Sequence, residues 1–497
     1  MISLDGRKVT KSYQERCDVV VVGSGPAGAT VARTLARAGL AVTVVEEGHL
    51  ATPEDLPADS FTAMARLYRD MGASLFRGTA PMPFVQGRVV GGTSVVNGAI
   101  SWRLPRDVHE AWVETDPALR EALPWERLVE LFDEIEADLH IAPTDPAVAG
   151  PNNLLMARGA DALGLEHRPI SRNVAGCEGL GRCMQGCPLG RKMGMDLSYL
   201  PDAASHGARI LAGVRVHTLL REGDRASGVV GDAEGGGRVT VLADRAVVLA
   251  ASAVQTPALL RANRIRHGPV GDGLTCHPGV SMAGRFSEPV RMWTGATQGH
   301  EVIGLRKEGI KFEALGFDIT VAAGRIKGIG QSLASQISDL AHRAAWGAAI
   351  RAEAQGRVRP GRRRARVYYS PTRSDIGRTR RAIQVLGEMM LAAGAEYVLP
   401  GVHGWHAQVD DRSVMRTFAE TAPWNPRAYT GVVTHMFGTC GMGSDPDHSV
   451  VRPDFRHHAV DRLYVADSSV FPTNIGVNPQ TSIIALAWLC AERIAAG

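Results

Sequence analysis

Residues 17–48 read CDVVVVGSGPAGATVARTLARAGLAVTVVEEG. The apolar run Val19–Val22 predicts a buried parallel strand that ends at a glycine-rich turn. Helical periodicity continues as far as Gly39, and the apolar residues 41–45 predict a second strand. This order of strand, turn, helix and strand is typical of a doubly wound α/β sheet.

The turn carries Gly23, Ser24, Gly25 and Gly28, and Glu46 closes the second strand. Glycines at this spacing allow backbone N–H groups to approach a pyrophosphate at the helix N-terminus, and the acid can accept hydrogen bonds from ribose hydroxyls. The unit therefore predicts a dinucleotide site. A plain βαβ unit with a glycine turn is the alternative interpretation.

A second glycine cluster, GRVVGGTSVVNG, occupies residues 87–98. Such a cluster fits a loop that is pressed against a ligand, because side chains would keep the backbone away from it. An ordinary glycine-rich loop is the alternative here.

Composition narrows the class of protein. The chain has 497 residues, with 55 Lys and Arg against 51 Asp and Glu, and this net charge of +4 is too small to indicate binding to nucleic acid or to an anionic membrane. Apolar residues make up 45% and charged residues 21%, which excludes a disordered chain, collagen and a coiled coil. Seven cysteines in so long a chain do not indicate a disulfide framework.

The N-terminal residues, MISLDGRKVTKSYQERCD, contain no apolar segment of the kind found in secretion signals. No stretch reaches the ~18 apolar residues that a membrane span needs. The sequence therefore predicts a cytoplasmic protein with no membrane span.

Residues 209–260 return to strand patterns, so the nucleotide-binding domain is expected to be assembled from separated segments. Farther along the chain, the spacing of apolar residues predicts a helix with one face packed on the core. A helix that faces lipid or substrate is the alternative. That face comprises Leu333, Ile337, Leu340, Ala341, Ala344 and Ala348.

Near the C-terminus, Asn478 and Pro479 open an apolar run that extends to about Ala496. Asn is a good N-cap and Pro fits the first helical turn, so a helix is predicted to start here. Its free N–H groups and positive dipole end would suit an anionic partner such as a reduced flavin ring.

His435 precedes this helix in sequence and is a candidate base. A His/Asn pair with Asn478 could deprotonate a substrate hydroxyl and hold the alkoxide, because neutral imidazole accepts a proton near neutral pH. A buried core histidine is the alternative interpretation of His435. No H-x-x-E-H or paired CxxC pattern indicates zinc, so no metal is expected.

Several motifs together resemble the glucose–methanol–choline (GMC) family of flavin oxidoreductases over nearly the full length. They are GSGPAGAT with Glu46, GRVVGGTSVVNG, CMQGCPLGRK followed by SYLPDA, VVLAASAVQTPALL, LTCHPGV, and HMFGTCGMG…YVADSSVFPTNIGVNP. The cysteine-containing loop, KFEAL and AGAEYVLPGVHG look most like the long-chain (fatty) alcohol oxidase and dehydrogenase branch.

This resemblance implies FAD rather than NAD. It implies that His435 takes the hydroxyl proton while hydride passes to flavin N5, and that Asn478 hydrogen-bonds the alkoxide. The implied cofactor contacts are Gly23, Ser24, Gly25, Gly28, Glu46, Arg88, Gly91, Gly92, Thr93, Asn97, Gly98, Val216, Ser252, Asp467, Asn478, Pro479 and Thr481. Members with covalent flavin carry a histidine just before the position of Asn97, and Val96 stands there in this chain, so non-covalent FAD is expected.

The expected fold class is α/β with an α+β cap. A doubly wound, Rossmann-like FAD-binding domain is expected from residues 14–105, 195–280 and 430–497. Residues 106–194 would form a linker and cysteine-rich region, and residues 281–429 a substrate-binding cap domain with an antiparallel sheet.

The expected activity is oxidation of an alcohol to an aldehyde or ketone. The substrate is expected to be apolar, either medium- to long-chain or a bulky non-sugar, and the electron acceptor O2 or another molecule. A FAD/[3Fe–4S] sugar or polyol dehydrogenase that passes electrons to a partner is the first alternative. A flavin-containing lyase that cleaves cyanohydrins is the second.

Cys177, Cys183 and Cys187 carry the main ambiguity. Three thiolates on a glycine-rich loop can ligate an iron–sulfur cluster, and the spacing resembles that of bacterial FAD-dependent sugar dehydrogenases. A structural loop with buried thiols, or a link between Cys183 and Cys187, is the interpretation favoured over the cluster.

Overall fold

The computed structural model describes residues 1–324, 326, 329–362 and 364–497. The strands are, in chain order, β1 Leu4–Asp5, β2 Tyr13–Val22, β3 Val42–Glu46, β4 Ser74–Arg77, β5 Met82–Phe84, β6 Ile141–Pro143, β7 His167–Pro169, β8 Ser171–Asn173, β9 Arg209–Ala212, β10 Val214–Glu222, β11 Arg225–Ala233, β12 Arg238–Leu249, β13 Asp272–Arg285, β14 His300–Val302, β15 Ile310–Ala314, β16 Arg343–Ile350, β17 Gly356–Arg359, β18 Arg366–Tyr368, β19 Tyr397–Leu399, β20 Gly431–Phe437 and β21 Leu463–Val465.

The α-helices are α1 Pro26–Arg37, α2 Ser60–Leu67, α3 Arg106–Thr115, α4 Leu119–Ala122, α5 Trp125–Asp138, α6 Pro146–Ala149, α7 Pro151–Leu163, α8 Tyr199–Ser205, α9 Ser252–Ala262, α10 Ile319–Ala323, α11 Gly330–Ser338, α12 Arg373–Ala392, α13 Arg412–Arg416, α14 Phe418–Thr421 and α15 Gln480–Ala496. Among the described residues, no helix combines the length and apolarity that crossing a bilayer requires.

The first sheet has the strand order β1-β9-β3-β2-β12-β11-β10, with β21 also paired to β12. Its β1, β9, β3, β2, β12 and β21 are parallel, whereas β10, β11 and β12 form an antiparallel meander. Val19–Val22 are fully or almost fully buried in the main core, with α1 packed against their strand, which explains their unbroken apolar run. The expected strand–turn–helix–strand unit and the α/β fold class are confirmed.

The second sheet has the order β17-β18-β4-β5-β20-β13-β16-β15-β14-β7, with β19 and again β17 on β13. Most of its pairs are antiparallel. Side chains alternate across it, so Phe312 and Trp346 lie in the core with α7 and α12, while their neighbours point to the opposite face. That opposite face carries the residues that border the candidate site.

The expected domain segments are not confined to one sheet. Residues 14–105, 195–280 and 430–497 each supply strands to both sheets, through β4 and β5, β13, and β20. The boundary expected at 280 falls inside the continuous strand β13. Apolar patterns predict strands but do not show which distant strands will pair.

The predicted core-packed helical face between Leu333 and Ala348 is wrong: only Leu333 and Ile337 lie in an α-helix, and that helix buries none of its residues. Helix α11 ends at Ser338, and Arg343–Ile350 form the strand β16, paired on both sides with β13 and β15. Its small residues suit a buried strand as well as a helix, and the pairing decides between them.

Candidate active site

A cavity of about 900 Å³ lies between residues of both sheets, and most of the predicted site residues line it. It extends from the turn after β2 to the face of the second sheet that carries Gly279 and Gly347. The predicted residues that line it are Gly23, Ser24, Gly25, Glu46, Gly92, Thr93, Asn97, Gly98, Val216, Ser252, His435, Asp467, Asn478 and Pro479.

Four predicted cofactor contacts lie elsewhere: Gly28, Arg88, Gly91 and Thr481 do not line the cavity. Arg88 is exposed and faces Glu47 at 4.0 Å. A Cβ at Gly28 would lie 1.9 Å from the carbonyl oxygen of Gly23, so this glycine lets α1 pack on the turn. Close packing therefore requires glycine at position 28, and Arg88 lies at the surface.

Gly25 is different, because open space surrounds it. A Cβ at Gly25 would meet only the Cα of Gly92, at 4.0 Å, whereas a Cβ at Gly23 would lie 2.5 Å from the carbonyl oxygen of Ala250. Protein packing therefore does not require glycine at position 25. A side chain there would instead occupy the cavity at the N-terminus of α1, where a pyrophosphate is expected.

Glu46 ties the two glycine-rich loops together. Its Oε2 accepts hydrogen bonds from the N–H and hydroxyl of Ser24 at 2.9 and 2.7 Å, and its Oε1 accepts from the N–H of Gly48 at 2.7 Å. The hydroxyl of Ser24 accepts from the N–H of Gly91 at 3.0 Å. Burial raises the pKa of Glu46. The carboxylate thus holds the turn in place as well as lining the cavity.

Asn97 and Gln480 join the second glycine loop to α15. Nδ2 of Asn97 donates to Oε1 of Gln480 at 2.6 Å, and Nε2 of Gln480 is buried without a partner in the described part of the chain. At Gly98 a Cβ would lie 2.0 Å from Oε1 of Gln298, so the loop packs closely on the second sheet.

Ser252 and Asp467 are brought together as predicted. The N–H of Ser252 donates to Oδ2 of Asp467 at 2.9 Å, and the hydroxyl of Ser252 accepts from Nε2 of Gln86 at 2.9 Å. Ser252 has a φ of +90°, a strained conformation for a residue with a side chain, of the kind that accumulates at functional sites. Burial raises the pKa of Asp467.

These features fit FAD. The cavity is long enough to join a glycine turn to a distant His/Asn pair, space is kept open beside Gly25, and an unpartnered amide of Gln480 lies among lining residues. The turn residues, Ser252 and Asp467 would hold the dinucleotide, and the loop around Asn97 would hold the flavin end.

Asn478 does not cap α15, contrary to the prediction. The helix begins at Gln480, with Pro479 at the cap position and no side-chain cap hydrogen bond. Oδ1 of Asn478 instead accepts from Nζ of Lys311 at 2.8 Å. A charged donor attracts this oxygen more strongly than a backbone N–H does, so the amide turns toward the second sheet.

Lys311 is the centre of a buried charged cluster. Its Nζ lies 2.8 Å from Oε2 of Glu301 and 2.5 Å from Oε1 of Glu313, and Lys311 and Glu301 are 1% and 0% exposed. Burial alone lowers the pKa of Lys311, but the two carboxylates raise it above its ordinary value. Glu301 also accepts from Arg168, and Glu313 from Gln298, each at 2.8 Å. Lys311 is therefore a fixed cation against the amide of Asn478.

His435 packs against a second imidazole. Its Nδ1 lies 3.2 Å from Nδ1 of His277, across the paired strands β20 and β13. Nε2 of His277 accepts from the N–H of Gly476 at 3.0 Å. Burial lowers the pKa of His435 to about 4 and that of His277 well below its ordinary value, so both rings are neutral at neutral pH.

The three cysteines of the loop 171–193 lie around a separate cavity of about 20 Å³. All three are unpaired thiols, so the suggested Cys183–Cys187 link is not formed. Within the described ranges, no group of three or more Cys, His, Asp or Glu side chains is arranged to hold a metal ion. The guanidinium of Arg172 donates to the thiols of both Cys177 and Cys183.

Sequence reasoning missed His277, Lys311, Glu301 and Glu313. The signal for two of them was present, since Lys311 and Glu313 are alternate residues of the KFEAL motif and a strand places alternate side chains on one face. His277 stands in the quoted motif LTCHPGV, but its contact with His435 depends on the pairing of β13 with β20.

Comparison with known proteins is consistent across the chain. Sequence profiles of the GMC oxidoreductase family match residues 18–279 and 352–487. A protein of Mycobacterium tuberculosis (strain ATCC 25618 / H37Rv), described as an uncharacterized GMC-type oxidoreductase, is 36% identical over 100% of this chain and 78% of its own length. A long-chain-alcohol oxidase of Arabidopsis thaliana is 25% identical over 99% of this chain and 69% of its own.

Solved structures show the same fold. The crystal structure of pyridoxine 4-oxidase from Mesorbium loti aligns with a TM-score of 0.72 at 20% identity, over 96% of this chain and 98% of that one. A formate oxidase structure aligns with a TM-score of 0.72 at 18% identity, over 98% of this chain and 99% of that one.

Proposed function

Because this chain belongs to the GMC oxidoreductase family, whose members bind FAD, we propose that it oxidises an apolar, non-sugar alcohol to an aldehyde or ketone, with His435 and Asn478 at the reacting carbon. The observation that carries the proposal is the pair itself. Nε2 of His435 and Nδ2 of Asn478 both belong to residues that line the main cavity, and neither atom has a protein partner among the described residues. FAD, when bound, supplies the acceptor for the hydride that leaves the alcohol carbon.

His435 is proposed as the group that takes the hydroxyl proton. Its pKa of about 4 keeps the ring neutral at physiological pH, and only a neutral imidazole has a nitrogen that can accept a proton. Since Nδ1 faces His277, Nε2 is the nitrogen available to the substrate.

The His435–His277 pair has two proton arrangements. Because Gly476 donates to Nε2 of His277, the His277 proton lies on Nδ1 in the free protein and points at Nδ1 of His435. In this arrangement Nε2 of His435 carries the ring proton and can only donate to a bound oxygen. Acceptance of the hydroxyl proton uses the opposite arrangement, in which His435 donates from Nδ1 to His277 and the Gly476 contact loosens. Substrate binding is proposed to select that arrangement.

Asn478 is proposed to hold the oxygen as its proton leaves. Lys311 takes the carbonyl side of the amide, so only the NH2 group remains to face the substrate, and this group is a donor to a developing alkoxide. The Lys311 charge polarises the same amide. Orientation and electrostatic stabilisation are thus supplied by residues that do not themselves need to move.

An apolar substrate is supported by the floor of the cavity. Four small residues of the paired strands β13 and β16 line the cavity, namely Gly279, Ser281, Gly347 and Ala349, and the side chain of Leu315 packs over Gly347. Leu315, Phe317, Val321 and Met64 add apolar surface at the cavity wall. The long-chain-alcohol oxidases among the relatives point to the same substrate class.

The test is an anaerobic visible spectrum of the holoprotein before and after adding decanol, with glucose in a parallel sample. Bleaching of the flavin band by decanol but not by glucose is expected. Bleaching by glucose alone would overturn the substrate class, and no bleaching by any alcohol would overturn the reaction. Readmission of air to the bleached sample then tests O2 as the acceptor.

His435→Ala should slow flavin reduction by about 10²–10⁴-fold because the proton acceptor is lost, while FAD stays bound. Stopped-flow reduction together with the flavin-to-protein absorbance ratio measures both effects. An unchanged reduction rate with bound FAD would refute the role of His435.

Non-covalent FAD is proposed because Val96 lines the cavity where covalent members carry a histidine, and valine offers no atom for a bond to the flavin. Acid precipitation should release all of the yellow colour into the supernatant. A yellow pellet would contradict this. The cytoplasmic location stays a prediction.

A further inference from the structure

Arg172 is a buried cation without a carboxylate. The residue is 1% exposed, and among the described residues its charged group makes no ion pair with an Asp or Glu. Its Nη1 and Nη2 donate instead to Sγ of Cys177 at 3.5 Å and to Sγ of Cys183 at 3.1 Å. A guanidinium cannot lose its proton at accessible pH, so the buried charge favours an anion beside it.

A second buried cation, Lys192, lies beside the same loop, and the carboxyl of Asp196 and the thiol of Cys187 are also near its charge. Lys192 is 4% exposed, and its Nζ donates to the backbone carbonyls of Asn97 at 3.0 Å and of Cys183 at 2.6 Å. Burial raises the pKa of the Cys183 thiol, but Arg172 and Lys192 outweigh it and lower the pKa below its ordinary value. The thiolate is the form of cysteine that reacts with oxidants.

From the two thiols held by one guanidinium, we propose that Cys177 and Cys183 are a peroxide-sensitive pair that closes to a reversible disulfide. The thiolate of Cys183 attacks hydrogen peroxide, the O–O bond breaks, and the sulfur becomes a sulfenic acid as hydroxide leaves and takes up a proton to give water. The thiol of Cys177 then attacks that sulfur, forming the S–S bond and releasing a second water. A dithiol reductant reverses the reaction.

The surroundings favour this pair over the third cysteine. Both Sγ atoms contact adjacent nitrogens of the same guanidinium, whereas Sγ of Cys187 accepts from the backbone N–H of Arg191 at 3.4 Å. The cavity of about 20 Å³ beside them can admit a molecule about the size of water. All three cysteine residues are partly exposed.

The pair is connected to the cofactor loop. Lys192 bridges the backbone of Cys183 to that of Asn97, and Met184 accepts a hydrogen bond from the hydroxyl of Tyr68 at 2.7 Å beside the main cavity. Closure of the disulfide removes the thiolate that balances Arg172 and Lys192. We expect the flavin absorption band to shift on oxidation, without any substrate present.

The experiment treats the holoprotein with hydrogen peroxide in the absence of alcohol, blocks free thiols with N-ethylmaleimide and maps the peptides by mass spectrometry. A Cys177–Cys183 disulfide that dithiothreitol reverses is expected. In Cys177→Ser, dimedone should label Cys183 as the sulfenic acid. Cys187→Ser is the matched control and should oxidise as the parent does.

The charge beside Cys183 is tested separately, first in the parent protein alone and then in an Arg172 variant. The rate of iodoacetamide labelling of Cys183 should reach half its maximum well below the ordinary cysteine pKa of about 8.5, and Arg172→Met should move that midpoint upward. An ordinary midpoint in the parent protein, a disulfide that uses Cys187 instead, or stoichiometric iron held by the three thiols would each overturn the proposal. None of these outcomes depends on the alcohol-oxidising role.

Discussion

Two buried cations in this protein have opposite surroundings. Lys311 has a carboxylate on either side, from Glu301 and Glu313, and a neutral amide from Asn478. Arg172 has no carboxylate among the described residues and contacts two thiols. The first arrangement satisfies its charge within the protein and so gives a rigid support for the active site. The second leaves its charge to be balanced by an ionisable and oxidisable group, which makes it reactive.

Removing Lys311 and removing Arg172 should lower the free energy of unfolding by different amounts. Lys311→Met leaves the buried Glu313 without a cation, with only the amide of Gln298 as a donor, and leaves Glu301 with Arg168 as its one cation, so it should lower the free energy of unfolding by about 3–5 kcal/mol. Arg172→Met leaves only thiols, which become neutral by taking up a proton, so its cost should be about 1 kcal/mol or less. Urea unfolding of both holoproteins measures the difference. Equal losses would show that the two cations are not distinct in kind.

Lys311 orients the side-chain amide of Asn478, so the next expected effect is that of removing this amide. Asn478→Ala removes a donor that is held in advance toward the substrate oxygen, so flavin reduction should slow by about 10²–10³-fold, with little change in stability. Stopped-flow reduction over a range of alcohol concentrations separates rate from affinity. A variant that weakened binding alone, with an unchanged limiting rate, would place Asn478 away from the reacting oxygen.

The smallest expected effect is the dependence of the protein's stability on pH. Burial lowers the pKa values of His435 and His457 to about 4, below the ordinary value of about 6.5 in an unfolded chain. Between these values the unfolded chain binds more protons, so stability should fall as the pH falls from about 6.5 to about 4. Lys311, whose pKa is raised, stays charged throughout.

His457→Gln is the matched control for this pH effect, because its ring lies outside the lining of the main cavity. It should flatten the dependence of melting temperature on pH and leave the pH profile of flavin reduction unchanged. His435→Gln should alter both. If His457→Gln changed the reduction profile, the pH dependence of the reaction could not be assigned to His435.

The fold was largely predictable because its first unit is local. The strand, turn and helix of residues 17–48 are neighbours in sequence, and their apolar period and glycines predict them directly. The alanine-rich strand Arg343–Ile350 was mistaken for a helix because small residues carry little preference, and only its pairing with β13 and β15 settles it.

The site residues that could be predicted from the sequence are those that belong to local motifs. Gly25, Ser252 and Asp467 line the cavity, whereas Gly28 and Arg88, which the motifs also mark, do not. His277 meets His435 through the pairing of β13 with β20, and Lys311 meets Asn478 from 167 positions away in the sequence. No spacing in one sequence reveals these two contacts, because the fold creates them.

The most direct measurement is anaerobic stopped-flow reduction of the bound FAD by decanol and by decanol carrying two deuterium atoms at its first carbon. Transfer of a hydride from that carbon, with His435 and Asn478 handling the oxygen, predicts slower reduction by the deuterated alcohol in the parent protein and very slow reduction in His435→Ala. Absence of reduction by either alcohol, or equal rates for both alcohols together with an unchanged rate in His435→Ala, would contradict the account.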